Sequence, residues 1–301
     1  MTGARRIGAG RALVIWLPML WLILFFLLPF AIVAHVSLSE ATIAMPPYRP
    51  ALVWPEGGWL PEYRGTLDNY RFLLEDPLYL GAYLGSIRMA GIATALCLLV
   101  AYPMAYLIAR SAPATRIVLL MLVVLPFWTS SLLRIYALIG VLSPNGFLNS
   151  ALGWLGLIDP DRPIQFLQTD FAVYLGITFT YLPLMVLPLY ATLEKLDPSL
   201  LEASADLGAS AFGTFWQVTL PLSLPGVLAG CLLVFIPAVG EFVIPALLGG
   251  PDQLMIGRVL WTEFFNNRDW PVASAVAIAM LAFLVVPFMI LRNSPALRGE
   301  G

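Results

Sequence analysis

The feature that most constrains this chain is a series of long apolar runs that almost no charge interrupts. From Ala12 to about Val36 there is no Asp, Glu, Lys or Arg. A bilayer core about 30 Å thick takes about 20 apolar residues to cross as a helix, so this run is long enough to span. It also exceeds the roughly 7–15 apolar residues of a secretory signal, which makes it an uncleaved helix that also serves insertion. Further runs cover about Ala82 to Ala109, Ile117 to Leu142, Phe171 to Thr192, Ser223 to Leu248 and Pro271 to Leu291. The expected fold is therefore an all-α membrane protein with six transmembrane helices and both termini on one side.

Composition agrees with a bilayer as the main solvent. Hydrophobic residues make up 60% of the 301 and charged ones 11%, against about 25% charged in soluble domains. A formal net charge of −2 excludes a polybasic nucleic-acid binder. With the N-terminus inside, Arg5, Arg6, Arg11, Arg110, Arg116, Lys195, Arg292 and Arg298 fall on the cytoplasmic side over roughly 60 residues. Arg49, Arg64, Arg71, Arg162, Arg258 and Arg268 spread over roughly 95 external ones, so cation density favours that orientation. Cys97 and Cys231 sit in separate apolar runs as packing residues, and His35, the sole histidine, is assigned to interfacial packing; neither builds a metal site.

The polar stretches differ in kind. Ser37 to Gly81 is long and rich in Pro and aromatics (Pro46, Pro47, Pro50, Pro55, Pro61, Tyr48, Trp54, Trp59, Tyr63), with a short helical pattern near Leu67 to Leu74. It is too ordered in composition for a linker and is expected to pack over the outer face. Pro103, Pro126, Pro183, Pro188, Pro237, Pro245 and Pro287 interrupt the spans; in a membrane helix they mark kinks rather than ends.

Between the fourth and fifth runs lies LEKLDPSLLEASADLGASAFGTFWQVTLPLSLPG, Leu193 to Gly226. Asp197 is placed to cap a helix with Pro198 at its first position, and Gly208 to end it. Ser210 then caps a second helix running toward Pro221. Helical spacing puts Leu200, Ala203 and Leu207 on one face and Glu202 with Asp206 on another. Two acids four residues apart repel, and Asp206 lies near the helix's negative end, so a cationic partner would relieve both. Amphipathic helices that lie on lipid carry Lys and Arg on the polar face. Here Glu194, Asp197, Glu202 and Asp206 stand against Lys195, which favours a protein socket.

The run Glu202-Ala203-Ser204, then Gly208, then Val218-Thr219-Leu220-Pro221 resembles the EAA loop of ABC importer permeases, written E-A-A-x3-G-x9-I-x-L-P. Spacing matches throughout, with Ser204 for the third alanine and Val218 for isoleucine. The resemblance implies the type I ABC importer permease fold: a single permease domain over 12–292, a five-helix core with a peripheral first helix, a coupling loop at 193–222, and cytoplasmic ends at 1–11 and 293–301. It implies that Glu202, Ala203, Ser204, Asp206, Gly208, Leu220 and Pro221 make up the segment that couples to a cytoplasmic ATPase, with Glu202 as its ionic contact. The chain has no phosphate-binding G-x4-G-K-[ST] run, so Mg-ATP is expected in that partner and catalysis is not expected here.

LPFWTSSLLRIYA (Leu125 to Ala137), FIPAVGEFVIPALLGGPDQLMIGRVLW (Phe235 to Trp261) and EFFNNRDWPVASAVAI (Glu263 to Ile278) are similar to segments of polyamine permeases, above all those of the putrescine-importing kind. This implies an inner-membrane importer made of this subunit, a second homologous permease, two copies of the ATPase and a periplasmic polyamine-binding protein. A spermidine or other organic-cation permease is the alternative within the class. Outside it stand a secondary transporter, which does not need an acidic EAA-spaced loop, and a membrane enzyme, which needs clustered intramembrane acids, His or Cys.

Glu241 lies inside the fifth run, where a carboxylate costs roughly 2.5 kcal/mol or more and is a functional candidate by default. Three roles stay open: an ion pair with Arg134 of the third run, a contact on the substrate path, or a place near the outer interface. Trp128, Tyr136, Tyr181, Phe235 and Phe242 lie near proline kinks, and their ring faces attract ammonium groups. They join Glu241 as candidates for the path.

Overall fold

The computed structural model describes residues 9–55, 60, 62–159, 161–251 and 253–293, with 9–12 and 286–293 described as backbone only. The chain divides into two compact units, one made from its two ends, up to Leu80 and from Leu260, and the other Gly81–Val259.

In the first unit, α1 (Ala9–Leu22) runs through a π-turn at Ile23–Leu27 into α2 (Leu28–Ser37). The most apolar stretch of this helix buries nothing inside the chain, so lipid or another protein must cover it. Two short antiparallel pairs follow, β1 (Glu40–Ala41) with β2 (Tyr48–Arg49) and β3 (Leu52–Val53) with β4 (Glu62–Tyr63). The helix expected near Leu67 is α3 (Asp68–Glu75). Its buried Asn69 donates to the carbonyls of Ser37 and Ser39 at 2.9 and 2.8 Å, fixing α3 to the end of α2. Trp59 and Pro61, among the residues that suggested an ordered loop, lie outside the described residues. At the far end of the chain, α14 (Trp270–Asn293) packs on α2 and α3. Trp270 stacks on Phe264 at 5.2 Å and also meets Tyr48.

The second unit is built on three long helices: α4 (Pro77–Arg110, entering from the first unit), α8 (Asp170–Leu193) and α11 (Leu220–Val239). Small residues decide how closely they approach. On α4, Cys97, Ala101, Ala105 and Ala109 recur every four residues and are buried against Met185, Val186, Leu189 and Leu193 of α8 and Val234 of α11. On α11, Gly226 and Gly230 have the same spacing and lie against α8. A Cβ at Gly226 would meet the Pro188 carbonyl at 2.8 Å, and one at Gly230 the Met185 Sδ at 2.6 Å. In lipid, where apolar burial does not drive helices together, close packing through such small-xxx-small stripes is a main source of association.

Two expected spans prove to be broken. The run from Ile117 to Leu142 is α5 (Pro113–Val124), a 3-10 turn at Leu125–Trp128 and α6 (Ser131–Leu142). Pro126 in the 3-10 turn lacks an N–H, and Thr129 is extended, its hydroxyl bonded to the Pro126 carbonyl at 2.8 Å. The run from Ser223 to Leu248 ends as a helix at Val239 and resumes as α12 (Val243–Leu248) after Gly240, Glu241 and Phe242. In the other direction this helix begins earlier than hydropathy suggested. The helix opened by Ser210, α10 (Ala211–Thr214), continues through a π-turn at Phe215–Thr219 into α11, so Pro221 does not end it. Between the long elements lie α7 (Phe147–Trp154) and α13 (Ile256–Trp261).

Candidate functional site

Sequence singled out two places, the segment around Glu202 and the apolar run holding Glu241. The first is the hairpin of α9 (Pro198–Asp206) and α10. Asp197 caps α9, its carboxylate accepting the Ser199 N–H at 2.9 Å, with Pro198 at the first helical position. That backbone donor stabilises the ionised form and holds the Asp197 carboxyl below its ordinary value. Gly208 takes φ = +83°, a conformation costly for residues with a Cβ, and turns the chain out of α9. Ser210 then caps α10 by accepting the Gly213 N–H at 3.2 Å.

The two short helices are fastened to one another by Ser204 and Thr214, whose hydroxyls lie 2.9 Å apart. They are anchored to α4 through Phe215, edge-on to Tyr102 at 5.4 Å, while the Tyr102 hydroxyl meets Ser223 of α11 at 2.8 Å. At the other root of the segment, Arg116 of α5 pairs with Glu194, immediately after α8. Glu202, Ala203 and Asp206 are exposed, and so are Leu200, Leu207 and Phe212. Leu207 is 89% exposed and Phe212 73%. These exposed apolar side chains stand beside the acids of α9. Leu220 and Pro221 lie apart from this exposed surface, in the first turn of α11.

The second place is the break between α11 and α12. Glu241 is not within a helix; it sits at the interruption, where its Oε1 accepts the N–H groups of Phe242, Val243 and Ile244 at 3.1, 3.0 and 3.4 Å. Its Oε2 accepts the Tyr181 hydroxyl at 2.5 Å. The carboxylate is thus satisfied by one phenol and by the start of a helix, whose free N–H groups and dipole favour negative charge. The break is further pinned by α13 and α4. A Cβ at Gly257 would meet the Gly240 carbonyl at 2.4 Å, and the Ser86 hydroxyl accepts the Ile256 N–H at 2.7 Å.

Of the three roles open to Glu241, the ion pair with Arg134 does not form. Arg134 of α6 instead holds its guanidinium 5.7 Å from the Phe127 ring centre, with Nε and Nη1 buried and unpartnered. Of the other candidates, Tyr181 and Phe242 contact Glu241 directly, and Phe235 is half-buried on α11. Trp128 and Tyr136 are not brought to Glu241 by any hydrogen bond or ring contact and are exposed, at 86% and 58%. Sequence reasoning missed the Gly226–Gly230 stripe, whose four-residue spacing was legible. It also missed Gln253, which donates to Asp170 at 2.6 Å and had no local signal.

Residues 12–299 match the family described as "Binding-protein-dependent transport system inner membrane component". The chain is 48% identical over 226 residues to the spermidine/putrescine transport system permease protein PotB of Escherichia coli (strain K12), covering 75% of this chain and 80% of that protein. It is 42% identical over 266 residues to PotB of Haemophilus influenzae, covering 88% and 87%. Among solved structures, a bacterial alginate ABC transporter in complex with alginate pentasaccharide-bound periplasmic protein superposes with a TM-score of 0.67 over 97% of each chain at 17% identity, a likeness of fold. The fold is that of an ABC importer permease, with the α5–α6 pair standing in place of one expected span. The chain is a multi-pass inner-membrane transport subunit and not an enzyme. It belongs to the family of inner membrane components of binding-protein-dependent ABC importers.

Proposed function

We propose that this subunit forms half of a translocation path for linear polyamines, putrescine foremost and spermidine as the alternative, and that a separate ATPase drives it. The observation that carries the substrate class is the 48% identity to a permease named for spermidine and putrescine. The assembly proposed is one copy of this chain, a second homologous permease, two ATPase subunits that hold Mg-ATP, and a periplasmic polyamine-binding protein. Both termini lie in the cytoplasm, as cation density favours.

In this reading the exposed α9–α10 hairpin is the coupling element. Glu202 and Asp206 meet cations of the ATPase, Leu207 and Phe212 enter its apolar groove, and Ala203 permits close approach. Ser204 and Thr214 keep the hairpin from unfolding as it is moved. Gly208, Leu220 and Pro221 shape the segment rather than touch the partner. Displacement passes through the π-turn at Phe215–Thr219 into α11, which leads to the break at Glu241. Tyr181, Glu241, Phe242 and Phe235 then form the part of the path where a carboxylate and ring faces receive ammonium groups.

The test is ATP hydrolysis by the reconstituted complex, with its loaded binding protein, compared for putrescine, spermidine and cadaverine. The reading expects stimulation by binding protein carrying putrescine or spermidine. Equal activity with and without every polyamine would refute the substrate class.

A further inference from the structure

Arg134 is a cation that no described carboxylate meets. It lies in the first turn of α6, half-buried, with its Nε and Nη1 atoms enclosed and making no hydrogen bond. No acid among the described residues pairs with it. Glu241, the carboxylate of the fifth apolar run, is already engaged by Tyr181 and α12. The Phe127 face offers a cation–π contact on one side only. A guanidinium cannot shed its proton to escape burial, so an anion from beyond the described residues would stabilise it.

The surroundings restrict what does so. Leu132, Leu133, Trp128 and Tyr136 flank Arg134 and are all exposed, which makes an apolar and aromatic surface around a buried charge. A lipid headgroup does not reach it readily: α6 runs eight residues further, to Leu142, about 12 Å at 1.5 Å per residue. The guanidinium also points the other way, back toward Phe127. A water-filled polyamine path is no better, since an unmatched Arg would repel an ammonium cargo.

We infer that Arg134 pairs with a carboxylate of the second permease subunit, presented from an apolar helix surface that covers Leu133 and Trp128. The inference rests on the reading of the chain as one of two permeases. Burial of the whole patch would make the pair strong and orienting, and it would fix which faces of the two subunits meet.

The experiment co-expresses R134K, R134Q and R134E with the second permease and the ATPase, and weighs the recovered complex by native mass spectrometry. R134K should assemble, and R134E should lower recovery at least tenfold. An acid-to-lysine change in the second permease should restore R134E, which a merely misfolded chain would not allow. Full assembly of R134E, or failure of every such acid change to restore it, overturns the pairing. So does loss of assembly when wild-type protein is stripped of anionic phospholipid, which would give Arg134 to a headgroup. If the wild-type chain itself forms no complex with a second permease, the functional reading fails first; if it assembles and imports while R134E does the same, only Arg134 is misassigned.

Discussion

Arg116 and Glu194 tie together the ends of three helices. One nitrogen of the guanidinium meets the Glu194 carboxylate, just beyond α8, and another donates to the carbonyls of Ala109 and Ser111 at the end of α4, at 3.1 and 3.4 Å. Arg116 itself belongs to the first turn of α5. Its side chain is 25% exposed and that of Glu194 39%, so solvent screens the pair in part. The adjoining residues Lys195, Leu196 and Asp197 lead straight into α9, and Leu196 is buried. The clasp therefore holds the root from which the α9–α10 hairpin leaves α8.

Removing that clasp should loosen the hairpin more than the core. R116A leaves two helix-end carbonyls and a carboxylate without their donor, a loss of about 1–2 kcal/mol after discounting for exposure. Thermal denaturation in detergent should fall by a few degrees. Exchanging the two charges, as R116E with E194R, should recover part of the loss; no recovery would show that the carbonyl contacts alone matter.

The helix crossing of α8 and α11 gives a sharper contrast. At Gly226 an added methyl meets backbone, the Pro188 carbonyl, which cannot swing aside; at Gly230 the first obstacle is the Met185 thioether, which is flexible. G226A should cost about 1–3 kcal/mol, the range for overpacking, and G230A less. Melting temperatures of the two variants in the same nanodiscs decide it, and equal stability would contradict the close approach.

Asp197 supplies a pH dependence with a definite sign. Its folded value lies below the ordinary 3.8 because the Ser199 N–H binds the ionised form. A depressed acid contributes its stabilisation fully above the unfolded value and loses it as pH falls through the folded one. Hydrogen exchange at the start of α9 should be unchanged from neutral pH down to about 5, after allowance for the intrinsic rate, and should quicken below about 4. D197A should show the faster exchange at every pH.

How these features were legible differs by their range in sequence. Asp197, Pro198, Gly208 and Ser210 act on backbone within three residues of themselves, so the α9–α10 hairpin could be drawn from local rules. The long apolar runs likewise announced their helices. The breaks at Thr129–Ser130 and at Gly240–Phe242 did not, because hydropathy averages over a window and two or three residues barely change it. Nor could sequence tell which partner Glu241 takes. Tyr181 lies 60 residues away, and the competing donors are backbone N–H groups that exist only because the helix restarts there. Arg134 was a reasonable partner by charge, yet a carboxylate satisfied by a phenol and a helix start has no need of it. Arg116 was visible only as one more basic residue; its three helix-end contacts belong to the packing.

At the break itself, Y181F removes a side-chain donor to Glu241 while leaving the backbone donors in place. The fold should hold, with a melting temperature within a few degrees of the wild type. Polyamine-stimulated ATP hydrolysis should fall, and E241Q should lower it further by removing the charge that attracts an ammonium group. If both variants hydrolyse and import normally, Glu241 serves only to start α12.

The most direct test concerns Glu202, exposed at the middle of α9. Proteoliposomes holding the complete importer, with ATP enclosed and loaded binding protein outside, are assayed for uptake of labelled putrescine by the wild type and E202R. The account predicts that E202R inserts and pairs with the second permease but loses uptake at least tenfold together with its bound ATPase. Wild-type rates of ATP-driven uptake by E202R would contradict the claim that this hairpin is where the motor takes hold.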